Sequence, residues 1–206
     1  MPRKNNPPRE IRDILQFWFG EGQTAGEVAD EKTALWWSKN RRIDREIATR
    51  FAATSEAAGH GALNHWAESP HGLLALIICT DQFPRNMHRD TPRAFAQDPA
   101  ALAFAKQGVD SGAARQLRPI ERVFAYLPFE HSEALAEQQR AIALYQELAE
   151  SAAPGEAELF NGYLDFARKH HQIIQRFGRF PHRNRILGRP STDAERAFLE
   201  QPGSSF

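Results

Sequence analysis

Apolar residues recur along this chain at steps of three and four, the spacing of a helix face, and show no sustained alternation at steps of two. Ile11, Ile14, Leu15 and Trp18 share one face of a helix that Gly20 stops. After a Gly-rich loop, Ala34, Leu35, Trp36 and Trp37 mark a short helix. Ile43, Ile47 and Phe51 line the next, which ends at Gly59-His60-Gly61. Ser69-Pro70 is an N-cap followed by a first-turn proline. The helix it opens is apolar on most sides through Leu73, Leu74, Ile77 and Ile78, which marks it as central, and Pro84 is expected to end it. Thr91-Pro92 and Asp98-Pro99 repeat the cap-then-proline signal, giving a turn and then a helix to about Val109. Pro119 opens another helix, with Pro128 expected to close it. A long helix from near Ser132 carries Leu135, Ile142, Tyr145 and Leu148. Beyond Pro154-Gly155 comes a stripe of Phe160, Tyr163, Ala167, His170, Ile174 and Phe177, with Gly178 as the expected left-handed residue behind it. Thr192 and Glu195 form a capping box for a last helix.

These elements predict an all-α fold of stacked antiparallel helical hairpins with no sheet. The expected organisation is a flexible polar tail over residues 1–8 and one all-helical domain over 9–206. No repeat of fixed length runs through the chain, so a regular solenoid is not implied.

Composition narrows the class. Apolar residues make up 41% and charged residues 25%, as in an ordinary globular protein, and 14 Phe and 4 Trp supply core volume. Basic and acidic residues balance at 26 each, so no overall field steers the chain to nucleic acid. The strongly apolar run Leu73–Cys79 is far shorter than the ~20 residues of a membrane-spanning helix. A single cysteine, no apolar stretch behind Arg3 and Lys4, and no spanning segment fit a cytoplasmic protein.

Charge is uneven within that neutral total. Seven basic residues and no acid lie between Phe166 and Thr192, while eight Glu lie between Glu121 and Glu158 against Arg122 and Arg140. Two stretches also echo each other: Asp81-Gln82-Phe83-Pro84-Arg85-Asn86 and Gly178-Arg179-Phe180-Pro181-His182-Arg183-Asn184. Each follows an apolar helical run, breaks at Phe-Pro and then presents Arg and Asn. Either the basic segment pairs with the Glu-rich one, or part of it is left to hold an anion. Arg85, Asn86, Arg183 and Asn184 also suit the simpler task of satisfying carbonyls freed where proline breaks a helix.

Glu130, His131 and Ser132 place a carboxylate, an imidazole and a hydroxyl in one turn. Glu130 and Glu133 can be first-turn acids and Ser132 a cap, or Glu130 and His131 can act as acid and base beside the arginines. His170, on an apolar stripe, is a core histidine or a third catalytic group. There is no HExxH, no paired Glu-x-x-His, no cysteine cluster, no P-loop and no GxGxxG ahead of a helix, so neither a metal nor a cofactor is expected.

The stretches Phe17-Trp18-Phe19-Gly20, Trp36-Trp37, Asp81–Asn86, Arg93-Ala94-Phe95, Glu121-Arg122, Glu130–Glu133 and Arg179–Asn184 together resemble a bacterial family described only as a domain of unknown function. The resemblance runs from about Ile11 to Phe206 and implies an all-helical, tetratricopeptide-repeat-like fold. It implies no activity. Cys79-Thr80 departs from the larger aliphatics expected there. The expected site gathers Glu130, His131 and His170 as catalytic candidates with Asp81, Arg85, Asn86, Arg179, His182, Arg183 and Asn184 as ligand-binding candidates. Its ligand is expected to be small and anionic, with hydrolytic or acid–base chemistry if it is an enzyme. The competing expectation is an interaction scaffold for a protein or peptide partner, by analogy of fold.

Overall fold

The computed structural model describes residues 7–204. The tail expected over residues 1–8 lies outside the described residues for positions 1–6. The described residues form α-helices, short 3-10 turns and one π turn, with no strand. The helices are α1 (Arg9–Phe19), α2 (Ala25–Trp37), α3 (Arg41–Gly59), α4 (Pro70–Ile77), α5 (Phe83–Met87), α6 (Asp98–Asp110), α7 (Pro119–Glu130), α8 (Leu135–Glu150), α9 (Ala157–Phe177) and α10 (Asp193–Leu199). Their lengths run from 5 residues in α5 to 21 in α9, so consecutive pairs are unequal.

Helix α4 is the centre, because an apolar helix all round must be buried all round. Leu74, Ala75, Leu76, Ile78 and Cys79 are each fully enclosed. It packs against α1, α6 and α7, and α8 lies between α7 and α9. Trp18 from α1, Phe83 and Phe124 meet edge to face, with ring centroids 5.7 Å apart in both pairs involving Trp18. Ser69 caps α4 by accepting from the Gly72 N–H. Gly72 has no substitute there, since a Cβ would lie 1.9 Å from the Trp66 carbonyl oxygen.

Three boundaries differ from expectation. Helix α2 begins well before Ala34, at a capping box between Thr24 and Glu27. Its alanines and small apolar stripe give little periodic signal. Pro84 does not end the central helix. The chain passes through a π turn, Ile78–Gln82, and continues as α5 to Met87. Within the turn the Phe83 N–H reaches back five residues to the Ile78 carbonyl. The next donor in that register would be Pro84, which has none. The Ser55 hydroxyl takes its place, donating to the Cys79 carbonyl at 2.6 Å from α3. Thr80 donates to the Leu76 carbonyl at 2.7 Å, which gives the small polar residue of Cys79-Thr80 a local role.

Pro128 does not close α7 either. The helix runs on to Glu130, with the His131 N–H bonded to the Leu127 carbonyl at 2.8 Å. Glu130 to Glu133 therefore do not open a helix. Glu130 ends one, and α8 starts only at Leu135. Gly178 does behave as expected: at φ 68° it is left-handed, and its N–H closes onto the Ile174 carbonyl. The capping box of Thr192 and Glu195 also forms.

Candidate functional site

The π turn, the end of α7 and the segment after α9 converge on one cleft. Each contributes through a local irregularity. The π turn adds a residue to one helical turn and thereby turns Asp81 to a fully buried position. The end of α7 at Glu130, two residues past Pro128, brings His131 alongside. Gly178 reverses the chain so that Phe180 to Asn184 fold back over the same place.

Asp81 is the hub. Its Oδ1 lies 2.8 Å from Nδ1 of His131 and 3.2 Å from a guanidinium nitrogen of Arg85. Gln82 Nε2 donates to its other oxygen. Burial alone would raise its pKa, but the charge of Arg85 and the hydrogen bonds from His131 and Gln82 outweigh it and hold the carboxyl ionised, well below the usual range. An ionised carboxylate only accepts, so the His131 proton sits on Nδ1. Burial and the neighbouring Arg85 depress the His131 pKa against the pull of Asp81, favouring the neutral ring. Nε2 then keeps its lone pair, and it makes no hydrogen bond among the described residues. An acid holding an imidazole by one nitrogen while the other stays basic is the arrangement of a positioned general base.

Arg85 serves two acids and a carbonyl. It grips Asp98 with two hydrogen bonds of 2.8 and 3.0 Å and reaches the Asp81 carbonyl at 2.9 Å. Arg183 comes to the same Asp98 from the opposite side of the cleft, at a long 3.4 Å. That is its side chain's one hydrogen bond among the described residues, and its buried Nε has no partner. Phe95 and Phe180 cover its planar group, with the guanidinium carbon 4.7 and 4.6 Å from the ring centroids. Burial, with the charge of Arg85 added, lowers its pKa to about 10. Arg183 is thus a buried cation sharing a carboxylate already held by another arginine.

Glu130 points away from this cleft. It and His170 form a second, enclosed acid–imidazole pair, Nδ1 to Oε1 at 3.0 Å. The same Nδ1 is 2.9 Å from the Phe166 carbonyl, so it carries the proton and shares it between two acceptors. The rings of His131 and His170 stand 6.4 Å apart between centroids. His182 stacks near Phe180, centroids 5.6 Å apart, and burial followed by Arg183 lowers its pKa to about 3.

Other candidates are engaged in holding the fold. Asn86 donates to the Gln82 carbonyl at 3.0 Å and accepts from Arg89 at 2.7 Å. Asn184 donates to Ser191 and accepts from Arg189. Arg179 makes a two-bond pair with Glu195, 2.7 and 2.9 Å, which ties α10 down. None of these three lines the cleft. Glu133 anchors the returning segment by accepting from Arg189 and from the Phe180 N–H at 2.8 Å.

The cleft has a volume of about 420 Å³, within the usual range for small-molecule sites. Its lining mixes Asp81, Asp98, His131, Ser132, Glu133 and Arg183 with the apolar Phe95, Pro99, Leu102, Pro128 and Leu187. The sequence pointed to Asp81, Arg85, His131 and Arg183. It missed Asp98, read as a cap before Pro99, and Phe95. Only the pairing of an Asp-Pro helix start with two unmatched arginine corners signals Asp98. Among the described residues, no group of three or more His, Cys, Asp or Glu is arranged to hold a metal ion. No helix among them is long and apolar enough to cross a membrane.

A family model described as a bacterial protein of unknown function (DUF924) matches residues 14–203. A solved structure, that of the protein of unknown function ATU0120 from Agrobacterium tumefaciens, is 38% identical in sequence. The match covers 92% of this chain and 96% of that one, with a TM-score of 0.77. The search of curated proteins returned no match.

Proposed function

The chain belongs to the bacterial DUF924 family, and from the cleft's geometry we propose that it binds a small anionic ligand, with acid–base chemistry carried by His131. The observation that carries this is Arg183. A guanidinium has five N–H donors, yet this one has a single long contact to a shared carboxylate and a buried Nε without a partner. Leaving a buried charge so poorly matched is costly, and a ligand oxyanion supplies the missing acceptors. Arg85 is the rear support that keeps Asp98 from turning fully to Arg183. Asp81 holds His131 as the tautomer whose Nε2 accepts a proton from a bound hydroxyl or water. Glu130 and His170 stiffen the wall behind it as positioning residues.

The test is calorimetric titration of the purified protein with acetate, hexanoate, inorganic phosphate and hexyl phosphate, repeated on Arg183→Ala and Arg183→Lys. Losing one charge-assisted contact is expected to weaken the best ligand about 10- to 100-fold in Arg183→Ala, with part of the loss recovered in Arg183→Lys. Circular dichroism controls for folding. A wild type that binds none of the four anions overturns the proposal.

A further inference from the structure

Resting on that reading, we infer that the ligand is a singly charged carboxylate carrying an apolar body, and that dianions such as phosphate esters are rejected. Two features of the cleft lead there.

The first is the sign of its lining. Arg183 is accompanied in the wall by Asp81, Asp98 and Glu133. Asp81 and Glu133 are held ionised by their arginine partners. One negative charge placed on Arg183 relieves an under-matched cation. A second charge gains no further cation, because Arg85 and Arg189 are already occupied by two-bond carboxylate pairs. It would instead share a partly desolvated space with three carboxylates, where like charges repel strongly.

The second is the apolar share of the same lining. Phe95, Pro99, Leu102, Pro128 and Leu187 offer no donor or acceptor side chain, and Leu187 at 36% exposure is among the large apolar residues left open to solvent. A polar body in that space finds nothing to replace its water. An aliphatic chain or ring removes its own surface and that of the wall from water together. The cleft therefore sorts ligands by two criteria: one charge for Arg183, and carbon against the apolar side chains of the lining.

The comparison of the four probes decides it. Each buried methylene tightens binding roughly fourfold, so hexanoate is expected to bind at least ~10-fold more tightly than acetate. Hexyl phosphate, carrying close to two charges above pH ~7, is expected to bind more weakly than hexanoate despite its equal or longer chain. Leu187→Ser, a change at an exposed position, should shrink the hexanoate-to-acetate ratio, weakening hexanoate by the larger factor. If acetate or inorganic phosphate binds as tightly as hexanoate, the apolar-body inference falls and the anion site stands. If hexyl phosphate binds best, the single-charge criterion falls. If nothing binds, the anion site itself falls, and this inference with it.

Discussion

At pH 7 the ring of His182 is neutral in the folded protein, because burial and the neighbouring Arg183 press its pKa down to about 3. The unfolded chain returns it to about 6.5. Between those values the unfolded state binds a proton that the folded state refuses, so stability falls as pH drops through this window and is unaffected by this residue above it. The slope approaches about 1.4 kcal/mol per pH unit at most. His131, also depressed, adds in the same direction. Urea unfolding between pH 7 and 4.5, above the range where carboxylates dominate, measures this. His182→Phe, which keeps a ring against Phe180, is expected to flatten the curve. An unchanged pH slope in that variant would show that His182 is not the group responsible. The residue scale is also where sequence was most informative about chemistry. Arg183 stood out because an acid-free basic stretch needs acceptors from elsewhere. Asp98 did not, because an aspartate before a proline reads as a helix cap, although Asp98 is the first residue inside α6 and makes no capping hydrogen bond among the described residues. An apparent local role in the sequence hides the distant one that the side chain actually performs.

Elements were legible where a helix ends on a residue that cannot do otherwise. Gly178, Ser69 and the box of Thr192 and Glu195 act as their chemistry demands. Pro84 and Pro128 did not stop their helices, and at Pro84 the orphaned carbonyl has another partner. At Pro84 that partner is the Ser55 hydroxyl, which comes from another helix and is invisible to local pattern. Ser55→Ala is therefore expected to cost about 1–3 kcal/mol, the penalty for a buried carbonyl left without a donor. In a Pro84→Ala background the new N–H serves Cys79 directly, and the same Ser55→Ala change should cost clearly less. The double-mutant cycle, read by chemical unfolding, isolates that coupling. Equal costs in both backgrounds would mean that Ser55 does not substitute for the proline's absent donor. The π turn matters beyond its own bonds: without its extra residue Asp81 would rotate by part of a turn and leave His131 unsupported.

For the whole molecule, an all-helical architecture with α4 at its centre followed from the spacing of apolar residues. The two Phe-Pro corners were expected at one site from their echo, but the residue that joins them, Asp98, was not. Asp81 and Arg183 lie far apart in sequence, and only packing of α4, α6, α7 and α9 around a common core brings the first corner and the second to Asp98. The same core encloses Cys79, the single cysteine of the chain, whose thiol is fully buried and pushed far above its usual pKa. A thiol that cannot ionise cannot react, so this atom works as a silent clock. In native protein a disulfide reagent should modify it only as often as the centre of the molecule opens, with a rate that follows amide exchange in the Leu73–Cys79 segment. Modification at the speed of a free thiol would mean that the centre is open already. Because the native background reads zero, one cysteine placed at the rim, as in Leu187→Cys, would report from the cleft alone, and a ligand entering there would be timed by the label it keeps out.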